Sequence, residues 1–85
     1  MNKWGRKKIE FELRLKGIPD AMIHKGIEAI DEEDYLHVLR NLILKKQKEI
    51  KPEKDLNIRE KIITFANGKG YEMELILAVL KEMKI

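Results

Sequence analysis

Eighty-five residues without a cysteine can close one modest core and exclude disulfides, thiolate metal sites and a cysteine nucleophile. The chain is 44% hydrophobic, enough to fold, and 39% charged with a formal net charge of +3, a mild bias toward anionic partners that does not name one. Nothing approaches the roughly 18 consecutive apolar residues of a membrane span, and Met1-Asn2-Lys3-Trp4-Gly5-Arg6-Lys7-Lys8 has no apolar stretch behind it, so the start does not read as a signal peptide and a cytoplasmic protein is expected.

Helical spacing runs through the whole chain. Trp4, Phe11, Leu15 and Ile18 form one row and Ile9 and Leu13 another, which predicts a helix with one broad apolar face. Gly17 ends it where a left-handed residue is usual, and Pro19 suits the first turn of the next helix. That second helix is expected from Pro19 to Ile30, with Met22, Ile23, Gly26, Ile27 and Ile30 on its apolar side. Gly26 in mid-helix costs ~1 kcal/mol relative to alanine, and close helix–helix approach is the expected compensation.

Asp31 is placed to cap a third helix, whose first turn holds Glu32, Glu33 and Asp34 at the positive end of the dipole. Tyr35, Leu36, Leu39, Leu42, Ile43 and Ile50 carry its stripe until Pro52, which pushes the residue before it out of helical geometry. Residues 51–57 read as a charged linker. Asn57 and Glu60 resemble a capping box ahead of a fourth helix with Ile58, Ile62, Phe65 and Ala66, ended by Asn67-Gly68-Lys69-Gly70. A fifth helix, about Tyr71 to Lys84, packs through Leu75, Ile76, Val79, Leu80 and Met83. No segment alternates with period two. The expectation is an all-α fold of about five helices in tandem three-helix-type repeats: one repeat of three helices over residues 1–50, and a final repeat with two main helices over 51–85.

Little here can do chemistry. There is no serine, and Thr64 is the only threonine, so hydroxyl nucleophiles are almost absent. His24 and His37 lack the companions of a zinc site. Asp31 to Asp34 lack the spaced ligands and turn glycine of a calcium loop, and Gly68-Lys69-Gly70 lacks the spacing of a phosphate loop. No enzyme activity, catalytic residue, metal, cofactor or small-molecule substrate is expected, and no membrane contact.

Charge placement is the strongest functional feature. Residues 3–16 and 45–61 are basic and residues 28–34 acidic, a blocky pattern that suggests a polarised surface. The candidate contacts to an anionic partner are Lys3, Arg6, Lys7, Lys8, Arg14, Lys16, Lys45, Lys46, Lys48 and Lys51. Arg6, Lys7 and Arg14 lie off the main apolar rows and are expected to be open to solvent. The plainer reading of each cation is a solvated face that keeps the protein soluble. Trp4 likewise has two readings, a platform for a stacked base or, more commonly, a hydrophobic anchor.

An offset of 53 residues lays the first two helices over the last two: Arg6 on Arg59, Lys8 on Lys61, Ile9 on Ile62, Lys16-Gly17 on Lys69-Gly70 and Ile23 on Ile76. Stacking such units completes a core that neither hairpin closes alone. The run from Lys3-Trp4-Gly5-Arg6-Lys7-Lys8-Ile9 through Leu13-Arg14-Leu15-Lys16-Gly17-Ile18, then Ile23, Ile27 and Ile30-Asp31-Glu32-Glu33-Asp34, resembles the RecX family, regulatory proteins of the RecA recombinase. Leu44-Lys45-Lys46 near the end of the long third helix, and Lys61-Ile62-Ile63-Thr64-Phe65 with Lys69-Gly70-Tyr71, Ile76 and Leu80, resemble that family's closing repeat. The resemblance covers residues 3–84. The Arg-x-Arg-Ser start and Leu-Asp-Asp segment of an earlier repeat are not in this sequence, so it resembles the C-terminal two-thirds of such a protein. The resemblance implies binding in the groove of a RecA–DNA filament and inhibition of its activities in DNA repair and recombination. It implies contact with recombinase and with single- or double-stranded DNA through phosphates. The alternative is a generic helical DNA-binding or protein-interaction domain, although no helix–turn–helix with a polar recognition helix stands out.

Overall fold

A computed structural model describes residues 3–50 and 57–85. The apolar spacing becomes five helices: α1 (Arg6–Leu15), α2 (Asp20–Glu28), α3 (Glu32–Glu49), α4 (Ile58–Gly68) and α5 (Met73–Glu82), with no strand among the described residues. The fold is all-α, as the periodicity requires. α3 begins as its sequence dictates, with the Asp34 N–H donating to the Asp31 carboxylate at 3.0 Å. Ile50 after it is extended. The linker expected over residues 51–57 lies outside the described residues except for Asn57. That residue sits at φ −111°, ψ 37°, off the extended geometry of a capping residue, and its side chain makes no cap hydrogen bond. The capping-box expectation is corrected there.

The core is built where three stripes converge. Tyr35, Leu39, Leu42 and Ile43 of α3 meet Ile62 and Ala66 of α4 and Ile76, Val79 and Leu80 of α5, and Tyr71 joins them from the α4–α5 turn, fully buried. α3 therefore packs with α4 and α5, while α1 packs with α2. This corrects the expected division at residue 50. The buried face of α3 points toward the last two helices, so the three-helix unit begins near Glu32 and α1–α2 form a hairpin attached to it.

The hairpin is sparsely covered. Phe11, Leu15 and Met22 are exposed although their spacing places them in an apolar face, because α1 and α2 have only one another to pack against over most of their length. Ile23 is the one wholly buried side chain of the two helices. Gly26 is corrected as well. A Cβ there would meet nothing within 4 Å, so no close approach explains it.

Close approach occurs instead where the hairpin meets the core. A Cβ on Gly5 would collide with the Gly70 backbone, and one on Gly70 would collide with Lys8. Gly70 also lies at φ 94°, and Gly17, its partner under the 53-residue offset, lies at φ 79°. Both turns use the left-handed conformation that only glycine adopts at little cost.

Candidate nucleic-acid interface

The joint between hairpin and core sets the positions of the basic side chains. The Gly5 N–H donates to the Lys69 carbonyl at 2.7 Å and the Lys7 N–H to the Gly70 carbonyl at 3.0 Å. The Tyr71 hydroxyl donates to the Lys3 carbonyl at 3.0 Å. The Arg6 N–H donates to the Tyr35 hydroxyl at 2.8 Å. The first turn of α1 has no capping side chain, and these tertiary partners satisfy two of its otherwise orphaned donors.

Below that seam lies a polar cluster. The Arg6 guanidinium pairs with Glu72 at 3.0 Å and with Glu32, and it lies 4.0 Å from the centroid of the Tyr35 ring. The Tyr35 hydroxyl donates to the other Glu72 oxygen. Burial opposes the charge on Glu72, but the hydrogen bonds from Tyr35 and Arg6 outweigh it and hold the carboxyl below its ordinary value of 4.5. Burial likewise opposes the charge on Arg6, and the bonds to Glu32 and Glu72 still raise it. Burial, reinforced by the charge of Glu72, pushes the Tyr71 hydroxyl up to about 12.

The ten sequence-predicted cations separate accordingly. Arg6 is a structural tie between α1, α3 and α5, not an open cation, which corrects the expectation that it is free to face solvent. Arg14 is held by Glu10 at 2.6 Å and Asp20 at 3.3 Å. The Lys8 ammonium lies 5.1 Å from the Trp4 ring centroid. Lys7, Lys16 and Lys48 are exposed, and none of the three lines the groove described next. Lys51 lies outside the described residues.

Lys3, Lys45 and Lys46 come together. With Lys69 they line an open groove of about 610 Å³ between the lead into α1, the last turns of α3, and α4. Trp4 and Phe65 supply its aromatic surface, and Glu49 is the one acid in its wall. The Lys46 ammonium lies 4.9 Å and the Lys69 ammonium 5.7 Å from the Phe65 ring centroid. Phe65 and Lys46 also line a second depression of about 520 Å³ on the flank of α4 with Glu60, Lys61 and Thr64, so open surface continues past the ring. Sequence reasoning missed Lys69 and Phe65. Their i, i+4 spacing on one helix face was the available signal, masked because Lys69 also occupies the turn and Phe65 also belongs to the apolar stripe.

Among the described residues, no three histidine, aspartate or glutamate side chains gather as a metal site requires, and no helix is long and apolar enough to cross a membrane. A groove lined by four lysines and two rings has the chemistry to take a polyanion with flat, unsaturated groups.

Fold and groove together define a small helical module with a basic groove. A family model described as the third three-helix domain of RecX matches residues 32–80, the α3–α5 unit seen in the packing. The chain belongs to the RecX family. It is similar to the "Regulatory protein RecX" of Clostridium acetobutylicum, 37% identical over 98% of this chain and 41% of the relative. It is also similar to the proteins of that name from Clostridium tetani, at 32% identity over 98% of this chain and 39% of the relative, and Clostridioides difficile, at 26% over the same shares. The chain thus spans about two-fifths of the length of these relatives, which are named as regulatory proteins. No solved structure matches.

Proposed function

We propose that this chain docks on a RecA–DNA filament and restrains the recombinase, with its basic groove turned toward nucleic acid. Membership in a family of regulatory proteins supports the partner. The observation that carries the mechanism is the convergence of Lys3, Lys45, Lys46 and Lys69 on one groove, since these cations are drawn from three chain segments and only the fold unites them. Arg6 and Arg14 are each held between two carboxylates of the protein and are not contacts in this reading, whereas Lys46 has the single partner Glu49 at 4.0 Å.

The test is binding and inhibition measured side by side. The chain should bind a RecA filament on single-stranded DNA more tightly than it binds recombinase alone, and should lower filament ATP hydrolysis. Binding should weaken with salt, with a logarithmic slope of about −0.7 for each single-strand phosphate neutralised. Lys45→Glu combined with Lys69→Glu should reduce both binding and inhibition with the melting temperature maintained. An active chain whose binding ignores salt and both reversals uses another surface. A chain without effect on the filament removes the proposal.

A further inference from the structure

We propose that the groove between Trp4 and Phe65 is a binding site for single-stranded nucleic acid, with bases stacking on the two rings and phosphates held by Lys3, Lys45, Lys46 and Lys69. The inference rests on the reading of this face as a nucleic-acid interface, but it requires no recombinase.

Three observations select a single strand. First, the charge is one-sided: four lysines line the groove against the single carboxylate of Glu49, which pairs with Lys46 at 4.0 Å, and the positive surplus is complementary to a phosphate backbone. An acidic peptide would be served by the charge alone and has no need of the rings. Second, two aromatic side chains stand in the wall of an open groove. Both rings are half-buried, and in a duplex the base faces are already stacked on one another, so their open faces are useful only to bases that are unpaired. Third, the surface does not stop at one nucleotide. Phe65 and Lys46 line both this groove and the depression beside it, where Lys61 stands with Glu60, so a strand passing Phe65 has open surface on each side. The geometry also suggests an order of events. Lys46 and Lys69 rest near the Phe65 ring, and Lys8 near Trp4. A phosphate offers these ammonium groups a stronger partner than a ring face, and their movement onto it clears the ring for a base.

Trp4 is the chain's only tryptophan, so its fluorescence reports the site directly. The intact chain, without recombinase, is titrated with a labelled oligothymidylate of about ten nucleotides, with an abasic strand of equal length and charge, with a duplex, and with polyglutamate. The oligothymidylate should quench Trp4 and bind about tenfold more tightly than the abasic strand, the effect of roughly one stacked base. Phe65→Leu should narrow that difference while Phe65→Tyr, which keeps a ring, preserves it. Lys45→Glu with Lys69→Glu should weaken both strands alike. Circular dichroism checks that each variant is folded, and the comparison of thymidylate with abasic strand requires no variant. Equal binding of those two strands, an unmoved Trp4 signal, preference for duplex, or equal capture of polyglutamate each overturns the inference. Loss in these assays with filament inhibition intact rejects the stacking site and spares the proposed function. Oligonucleotide binding without any effect on the filament does the reverse.

Discussion

Arg6 shows how far a single position can depart from its apparent role. In sequence it is one cation in a basic run. In the fold its side chain is only 21% exposed and joins Glu32 on α3 and Glu72 before α5. Losing one partner of a half-buried charged cluster strands the others, so Arg6→Ala is expected to destabilise the fold by about 1–3 kcal/mol, read by denaturant titration. Glu72 adds a pH dependence whose sign is fixed. Its carboxyl titrates below the ordinary 4.5 in the folded chain, so the folded state favours the ionised form. The stability it contributes is present above pH 4.5 and is lost as pH falls through the depressed value. Glu72→Gln should therefore flatten the acid limb of a melting-temperature profile below pH 4.5. An unchanged limb would place the acid sensitivity elsewhere.

Elements differ in what their glycines do. Gly26 is exposed within α2 with open space around its missing Cβ, so Gly26→Ala should stabilise by roughly 0.5–1 kcal/mol through helix propensity. Gly70 lies at φ 94° against Lys8, so Gly70→Ala should cost more than about 1 kcal/mol. Thermal melts of the pair should move in opposite directions, and a shift in the same direction would contradict the packing at the joint. The stripes behave likewise. Leu39 and Ile76 are fully buried at the centre of the three-helix unit, whereas Phe11 and Leu15 are 59% and 67% exposed. Leu39→Ala or Ile76→Ala is expected to cost about 2–5 kcal/mol, and Phe11→Ala or Leu15→Ala less than about 0.5 kcal/mol. Equal losses would mean that the hairpin face is covered.

For the whole molecule, the radius of gyration of 14.3 Å and extents of 47 × 24 × 20 Å exceed the ~12 Å radius of a compact chain of this length. The hairpin extends from a core that it meets through backbone bonds to Lys69 and Gly70, the Tyr71 hydroxyl and the Arg6 cluster. Two levels of stability follow, because local opening is cheapest where few apolar contacts must be broken. In native-state hydrogen exchange, amides of α1 and α2 should exchange at least about tenfold faster than those of Leu39, Ile43, Ile62 and Ile76. Uniform protection would show that the five helices unfold as one unit.

The sequence by itself determined the helices, because a 3.6-residue apolar period and a capping Asp31 act within a few residues of chain. It also determined the 53-residue repeat, whose two left-handed glycines and two buried isoleucines, Ile23 and Ile76, the fold places equivalently. Tertiary structure alone decided which helices α3 joins, because a stripe declares that a face is buried and not against what. The same ambiguity hid the exposure of Phe11, Leu15 and Met22, whose spacing is that of core residues. The groove was only half legible. Lys3, Lys45 and Lys46 carry their charge in plain view, but Trp4 and Phe65 read as anchors and Lys69 as part of a turn. Only folding brings residues 3, 45, 46, 65 and 69 to one surface, and it also withdraws Arg6 from solvent. Net charge is a property of the chain, whereas a charge's availability depends on its neighbours in space.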